Sequence, residues 1–178
     1  MVASWIHLTG LADEVWFVPS ADHPFGKVMA PFEQREKWCK ALAADLGTWA
    51  VVTAAEVGLP KPNYTINLLR YLQAHLPDDR LRVVMGVDNL LQREKWFGFD
   101  DLEQEFAPIY VDRGGVTHNL KVASPKFPDV SSTEVRRLMS EGLSIAHLVP
   151  RGVLQVSGYF PEKQALQNPG ADTDSKGK

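Results

Sequence analysis

The stretch LRVVMGVDNLL, residues 81–91, joins an apolar run directly to a glycine, an aspartate and the start of a helical pattern. Short apolar runs rich in β-branched and aromatic residues are typical of strands buried on both faces of a sheet. The chain repeats this pattern, so we predict further strands within EVWFVPS (14–20), WAVVTAA (49–55), APIYVDR (107–113) and, more briefly, NLKVAS (119–124).

Helical patterns separate these runs. Residues 31–47 form one, which ends at Gly47, and residues 65–76 form another, with Thr65 as its predicted N-cap. Further helices are predicted over 1–10 and 150–160. Because strands separated by helices need crossover connections, the sequence predicts an α/β fold with a mainly parallel sheet and helices on both faces.

The composition sets the domain organisation. A chain of 178 residues with 44% hydrophobic and 23% charged residues fits one domain with a real core. We assign that domain to residues 1–160. Residues 161–178 are polar with little to bury, so we predict a disordered tail there.

Charge and hydropathy limit the classes of partner that the protein is expected to bind. A net charge of −3 argues against general attraction to nucleic acid, and no apolar run is long enough to span a membrane. Cys39 is the only cysteine, which excludes a disulfide framework and a cysteine metal cluster, and its helical context predicts a packed thiol. The histidines have no metal-ligand spacing. We expect a cytoplasmic protein with neither nucleic-acid nor membrane partners; a homo-oligomer is compatible with this composition.

The stretch VSSTEVRR, residues 130–137, places three hydroxyl side chains ahead of two arginines where a helix begins. Ser131 and Glu134 match a capping box, which satisfies the first amide groups of a helix. Capping leaves the arginines unexplained, because a cation near a helix N-terminus is disfavoured by roughly 0.3–1 kcal/mol. Free N–H groups, hydroxyls and an arginine instead suit phosphate oxygens. The candidate phosphate-binding residues are Ser131, Ser132, Thr133 and Arg136.

Gly86 and Asp88 follow the apolar run at 81–85. In open parallel sheets, ligands bind beyond the carboxyl ends of the strands, which is where these two residues fall. Gly86 would allow a ligand close to the backbone, and the Asp88 carboxylate would accept hydrogen bonds from ribose hydroxyls. The alternative is that Asp88 only caps the helix that follows it.

Two other stretches are candidates for binding. Tyr64 and Thr65 stand where a loop meets a helix, and Trp96 with Phe97 adds an aromatic surface that would stack a flat heterocycle. Ordinary core packing is the alternative for these aromatic side chains. The proline- and glycine-rich loop after the first strand holds His23 and Lys27, which either contact a phosphate or are solvated.

Together these stretches resemble the bacterial nicotinate-nucleotide adenylyltransferases, which have a Rossmann-like nucleotidyltransferase fold. The similarity extends from about residue 3 to residue 160. The matching motifs are DEVWFVPS (13–20), NYT (63–65), MGVDNL (85–90), KW (95–96), VDRGG (111–115), VSSTEVR (130–136) and LVPRGV (148–153). The serine-serine-threonine-x-x-arginine signature marks the wider superfamily, and the tyrosine, threonine and tryptophan favour the nicotinate branch.

The resemblance implies a reaction and a set of roles. The enzyme would transfer AMP from ATP to nicotinate mononucleotide, giving deamido-NAD and pyrophosphate, without a covalent enzyme intermediate and with Mg²⁺ arriving on ATP. The implied phosphate-binding residues are Ser131, Ser132, Thr133, Arg136 and Lys27. The implied nucleotide- and ribose-binding residues are Gly86, Asp88 and Arg113. The implied nicotinate-binding residues are Tyr64, Thr65 and Trp96.

Two departures from the family pattern bear on activity. The family's proline-histidine-lysine run appears here as DHPFGK, with His23 and Lys27 in altered order. The family's first strand and its histidine-x-glycine-histidine motif are missing, since no second histidine follows Gly10 in WIHLTG. We therefore assign no catalytic residue and expect Met1 to be an internal methionine taken as the start. A sister nucleotidyltransferase with another acceptor, such as phosphopantetheine, and a non-catalytic nucleotide-binding module are the alternatives.

Overall fold

The structure, a computed structural model, describes residues 1–22 and 29–159. Its helices are α1 Val2–Leu8, α2 Phe32–Leu46, α3 Thr65–His75, α4 Val87–Leu90, α5 Phe99–Phe106, α6 Ser132–Ser140 and α7 Arg151–Ser157. Its strands are β1 Val15–Phe17, β2 Ala50–Val52, β3 Val84–Gly86, β4 Ile109–Arg113 and β5 Lys126–Phe127. Short 3₁₀ helices cover Ala55–Gly58 and Arg93–Lys95. His23, Lys27 and the predicted tail, 161–178, lie outside the described residues.

All the strand pairings are parallel in the described part of the chain, which confirms the predicted α/β class. β1 pairs with β2, and β3, β4 and β5 form a second sheet in that order. The register sets Gly86 beside Val111 and Arg113 beside Phe127. The carboxyl ends of β3, β4 and β5 therefore meet at one edge of the second sheet.

The strands are less buried than the sequence pattern predicted. Every residue of β1 and β2 is only partly buried, and Val84 of β3 is 37% exposed. A two-stranded sheet has an open edge on both strands, so its side chains find fewer neighbours than in the middle of a wide sheet. The prediction that these strands are buried on both faces is wrong for β1 and β2.

The predicted strand at 119–124 is also wrong, because the strand lies at Lys126–Phe127. Side chains use the polar groups of this segment instead. The backbone N–H of Leu120 donates to Nδ1 of His118, and the Ser124 hydroxyl accepts a hydrogen bond from the backbone N–H of Asp112. These contacts compete with a strand ladder.

Two helix starts differ from expectation. Helix α3 begins at Thr65 as its first helical residue and Tyr64 is the N-cap, so Thr65 does not cap it. Helix α5 was not predicted. It starts after Gly98, which adopts a left-handed conformation, and buries Phe99, Leu102 and Phe106 on one face. Their spacing of three and four residues is the helical signal that marks it.

Three apolar clusters hold the elements together. The first joins α3, β3 and α5 around Ile66, Met85 and Leu102. In the second, Ile6 of α1 is 1% exposed and packs with Ile109 and Val111 of β4, while Val15 of β1 joins the edge of the cluster. Helix α1 therefore contacts both sheets.

The third cluster connects α6 and α7 through Leu138, Ile145 and Tyr159. Cys39 of α2 is half-buried, and burial raises the pKa of its thiol, as suits a packed side chain. Within residues 1–22 and 29–159, no helix combines the length and the apolar character needed to cross a membrane.

Candidate functional site

An open cleft with a volume of about 320 Å³ lies at the carboxyl ends of β3, β4 and β5. Its walls come from the β3–α4 junction, the end of β4, the segment after β5 and the start of α1. The lining residues are Met1, Val2, Gly86, Asp88, Asn89, Val111, Asp112, Arg113, Phe127, Pro128 and Val130. The structure thus brings Gly86, Asp88 and Arg113 together, as the sequence predicted, at the edge where ligands bind in parallel sheets.

Asp88 does not cap the helix that follows β3. The N-cap of α4 is Gly86, with no side-chain hydrogen bond, and Asp88 is the second residue of the helix. Its Oδ1 atom is buried and has no hydrogen-bond partner among the described residues. An unpaired buried oxygen costs about 1–3 kcal/mol, so this atom is suited to accept a hydrogen bond from a ligand.

Gly86 is required by the position of this carboxylate. Its backbone φ is −66°, which any residue tolerates, but a Cβ there would overlap Oδ1 of Asp88. In this structure the open side of Gly86 is therefore filled by Asp88. The close approach that the sequence suggested for a ligand is made by the protein's own carboxylate.

Arg113 ends β4 and lies between two carboxylates. Its Nη2 is 2.7 Å from Oδ1 of Asp129, and its Nη1 is 3.8 Å from Oδ2 of Asp88. These neighbours, Asp129 above all, raise the pKa of the Arg113 guanidinium. Asp129 was not identified from the sequence, because its partner lies 16 residues away and no local pattern connects them.

The start of helix α6 lies beside the cleft, since Val130 lines the cleft and Ser131 is the N-cap. The hydroxyl of Ser131 accepts a hydrogen bond from the backbone N–H of Glu134 at 3.1 Å. This confirms half of the predicted capping box. The Glu134 carboxylate accepts from Arg137 instead of returning to Ser131, so the reciprocal bond is not formed.

The two arginines of α6 have different partners. Arg137 donates to the carboxylates of Glu134 and Glu141 at 2.6–2.9 Å, and these pairs lower the pKa of Glu134. Arg136 makes no ion pair among the described residues, and its polar contact is with the Thr133 hydroxyl at 3.4 Å. Carboxylates thus neutralise Arg137, which stands in the last turn of α6, whereas Arg136 has no ion-pair partner among the described residues.

The predicted nicotinate-binding residues are not among the residues that line this cleft. The ring of Tyr64 stacks on Phe97 at 4.3 Å, and Trp96 meets Phe99 edge to face at 6.4 Å. Tyr64 and Trp96 both pack on the cluster of α3, β3 and α5. The structure shows them as packing residues, with Thr65 beginning α3 next to Tyr64.

A histidine and an aspartate form a hydrogen-bonded pair at the cleft, where Asp112 is one of the lining residues. Nε2 of His118 is 3.1 Å from Oδ1 of Asp112, and the His118 side chain is only 7% exposed. Because Nδ1 accepts from the N–H of Leu120, Nε2 is the nitrogen that donates to Asp112, and this bond lowers the pKa of the carboxyl. Over the described ranges, no three histidine, cysteine or acidic side chains are grouped to hold a metal ion.

Comparison with known proteins identifies the family. The chain is 36% identical over 165 residues to the probable nicotinate-nucleotide adenylyltransferase of Anaeromyxobacter sp. (strain K), covering 92% of this chain and 86% of that protein. It is 35% identical over 150 residues to the protein of the same name from Myxococcus xanthus, covering 84% and 78%. This chain belongs to the nicotinate-nucleotide adenylyltransferase family.

The family assignment also holds for a more distant relative. The probable nicotinate-nucleotide adenylyltransferase of Thermus thermophilus is 33% identical over 147 residues, which covers 79% of this chain and 78% of that protein. No family model matches the chain. Membership makes the chain a nucleotidyltransferase of NAD biosynthesis and agrees with its parallel α/β fold.

Proposed function

We propose that this chain binds ATP and nicotinate mononucleotide and transfers AMP to the mononucleotide, giving deamido-NAD and pyrophosphate. One observation carries the proposal beyond family membership. Asp88 and Arg113 line one cleft at the ends of three parallel strands, and the start of α6 lies beside it. Hydroxyl-accepting, cationic and N–H-donating groups therefore converge where a nucleotide's ribose and phosphates require them.

The phosphates of ATP would bind at the start of α6. The backbone N–H groups of Ser132 and Thr133 have no hydrogen-bond partner among the described residues, and their hydroxyls add further donors. The unpaired guanidinium of Arg136 supplies the charge. Ser131 would act mainly by capping and so shaping this N-terminus. Lys27 is a further proposed phosphate ligand from the sequence.

The ribose would bind at the β3–α4 junction. The Asp88 side chain is 34% exposed, and once rotated so that its unpaired Oδ1 faces the cleft, this oxygen would accept a hydrogen bond from a ribose hydroxyl. Gly86 leaves the space in which this carboxylate sits. Arg113 would contact the nucleotide from the end of β4, beside Asp88, where it is held by Asp129.

The nicotinate ring would bind near Tyr64, Thr65 and Trp96. The exposed neighbour of these residues is Phe97, which is 58% exposed and covers one face of the Tyr64 ring. A flat ring would stack on this aromatic group after a small side-chain movement of Phe97. Aromatic pairs of this kind contribute about 0.5–1.5 kcal/mol beyond the area they bury.

The reaction needs positioning more than protein chemistry. A phosphate oxygen of the mononucleotide forms a bond to the α-phosphorus of ATP, while the bond from that phosphorus to the bridging oxygen of the β-phosphate breaks. Pyrophosphate carries away the bond electrons. The proposed role of the cleft is to hold both phosphates in line and to stabilise negative charge, and we assign no catalytic residue to this chain.

We also propose that Mg²⁺ enters with ATP, because the ion prefers phosphate oxygens and water to an all-protein site. A cytoplasmic location is proposed with it, since that compartment supplies ATP and a reducing environment for Cys39.

Pyrophosphate release by the full chain tests the proposal. With Mg²⁺ and ATP present, we expect release on addition of nicotinate mononucleotide and little release with phosphopantetheine. Calorimetric titration of ATP into the same protein separates binding from turnover. Release driven by phosphopantetheine would favour a sister enzyme, ATP binding without release would favour a nucleotide-binding module, and neither binding nor release would refute the function.

A further inference from the structure

We propose that Asp129 is a positioning residue that holds the Arg113 guanidinium in the nucleotide-binding cleft. This inference rests on the proposed function, because it assigns the reason for the Asp129–Arg113 pair to nucleotide binding. Asp129 itself does not line the cleft, whereas Arg113 does.

The contact is direct and short. Oδ1 of Asp129 accepts a hydrogen bond from Nη2 of Arg113 at 2.7 Å. The Asp129 side chain is 53% exposed and the Arg113 side chain 36% exposed, so solvent screens the attraction in part. The contribution of this hydrogen bond is therefore mainly geometric. It fixes Nη2 of the long, flexible Arg113 side chain and leaves the other guanidinium nitrogens free to contact a ligand in the cleft.

Two glycines leave the space that Asp129 occupies. A Cβ on Gly115 would stand 2.7 Å from Oδ2 of Asp129, and Gly115 has a φ of +80°, which strongly favours glycine. A Cβ on Gly114 would stand 3.2 Å from the Asp129 backbone nitrogen. The backbone N–H of Gly114 also donates to the carbonyl of Phe127 at 2.7 Å. The arginine and the two glycines after it therefore all contact the segment that carries Asp129.

Without Asp129, the guanidinium has a competing partner. Asp88 is the other carboxylate near Arg113, at 3.8 Å. The two groups already form a loose ion pair at that distance, and a small rotation would shorten it to a direct hydrogen bond, because the attraction of opposite charges grows as they approach. The Asp88 carboxylate would then be engaged by Arg113 and lost to the nucleotide. Asp129 thus keeps Arg113 and Asp88 apart as two separate ligand-binding groups.

Asp129 also stands two residues before Ser131, the N-cap of α6. The backbone N–H of Val130 donates to the carbonyl of Pro128, which keeps this short connection compact. Asp129 therefore contacts Arg113 from the short connection that leads to the proposed phosphate-binding helix. A loss of Asp129 is expected to weaken nucleotide binding without removing any proposed ligand contact.

The test is a double-mutant cycle on the full chain, with ATP affinity measured by titration calorimetry in the presence of Mg²⁺. We expect Asp129→Ala to weaken ATP binding about tenfold, since a hydrogen bond to a charged group is lost. In the Arg113→Ala background, the same change is expected to have almost no further effect. Asp129→Asn keeps an oxygen that accepts from Arg113, so it should lose less ATP affinity than Asp129→Ala. It replaces the alanine variant in the cycle if that variant does not fold.

Asp101→Ala is the matched control, because Asp101 pairs with Arg70 at 3.1 Å outside the cleft. It should leave ATP affinity unchanged. The positioning role would be overturned if Asp129→Ala lowered ATP affinity equally in the original protein and in the Arg113→Ala variant. It would also be overturned if neither substitution lowered ATP affinity. Both outcomes would leave the proposed function in place. A lowered melting temperature with unchanged ATP affinity would overturn the positioning role in the same way. Failure of the unaltered chain to bind ATP would overturn both proposals.

Discussion

Arg136 and Arg137 are neighbours in the sequence, yet only Arg137 is neutralised by the protein. Its guanidinium contacts the carboxylates of Glu134 and Glu141, whereas Arg136 reaches only the Thr133 hydroxyl among the described residues. Arg136 and Arg137 are the fifth and sixth residues of α6, so Arg136 stands beyond the first turn and Arg137 stands in the last turn, where the helix dipole favours a cation. The difference indicates that Arg137 stabilises the helix and supports the proposal that Arg136 binds an external anion.

The first prediction follows from this difference. Arg136→Ala is expected to weaken ATP binding by roughly tenfold, because a charge-assisted hydrogen bond to phosphate is lost. The melting temperature should stay the same, since Arg136 makes no ion pair among the described residues and stands beyond the first turn of α6. Titration calorimetry beside a thermal melt measures both quantities.

Arg137→Ala is the matched control for that experiment. It removes the same side chain one residue later, so it should reduce stability by a few tenths of a kcal/mol and leave ATP affinity unchanged. The opposite pattern, with ATP binding lost only in Arg137→Ala, would contradict the assignment of Arg136 to phosphate.

The second prediction concerns Asp88. In Asp88→Ala the buried unpaired Oδ1 disappears, which removes a desolvation penalty, and alanine favours the helix. We expect the melting temperature of the free protein to be unchanged or higher, while nucleotide affinity falls about tenfold. Thermal melts with and without ATP measure both effects. A less stable variant with unchanged affinity would show that Asp88 serves the fold instead.

The sequence predicted the regular elements better than the contacts between them. β1 to β4 lie within the predicted apolar runs because their pattern is local. The segment 119–124 also looked like a strand, but the side chains of His118 and Ser124 take up backbone groups there. Such local competition depends on where β4 brings Asp112, which the alternation of apolar residues does not encode.

The candidate site shows the same division. Gly86 and Asp88 were identified from the apolar run before them and Arg113 from the family resemblance, and the structure brings all three into one cleft. Asp129 was missed, because its role appears only when the ends of β4 and β5 are side by side. The roles of all four residues in binding remain predictions, which the experiments above test.

The third prediction concerns Gly152, the second residue of α7. Its backbone N–H donates to Oδ2 of Asp45 in α2 at 2.7 Å, so a carboxylate from another helix caps the start of α7. A Cβ at Gly152 would lie 2.8 Å from Oδ1 of Asp45 and 3.0 Å from the carbonyl of Ala41. Gly152→Ala should therefore destabilise the protein by about 1–3 kcal/mol in urea unfolding.

Gly58→Ala is the control for Gly152→Ala. A Cβ at Gly58 meets no atom within 4 Å, so this variant should differ from the original by less than about 0.5 kcal/mol. If both variants lose equal stability, the loss comes from replacing any glycine by alanine, and the tight contact between α2 and α7 is not its cause.

The last prediction concerns the pH dependence of stability. Glu56 is 8% exposed, and its Oε2 accepts a hydrogen bond from the backbone N–H of Ala21 at 2.7 Å. Burial outweighs this bond and the attraction of Arg35, and it raises the pKa of the Glu56 carboxyl above its ordinary value of 4.5. The folded protein therefore holds this proton more tightly than the unfolded chain does, and stability falls as the pH rises between the two pKa values.

Replacing Glu56 by glutamine removes the charge and keeps an oxygen that accepts from Ala21. We expect Glu56→Gln to be more stable than the original protein at neutral pH. The difference should vanish as the pH falls below about 4.5, where the Glu56 carboxyl is protonated in both the folded and the unfolded protein. Urea unfolding across this pH range, with exposed Glu94→Gln as control, measures it. A variant that is less stable at neutral pH, with a deficit that shrinks as the pH falls, would show that the ionised carboxylate supports the loop at Ala21. A deficit equal at every pH would show that the glutamine packs less well, independently of charge.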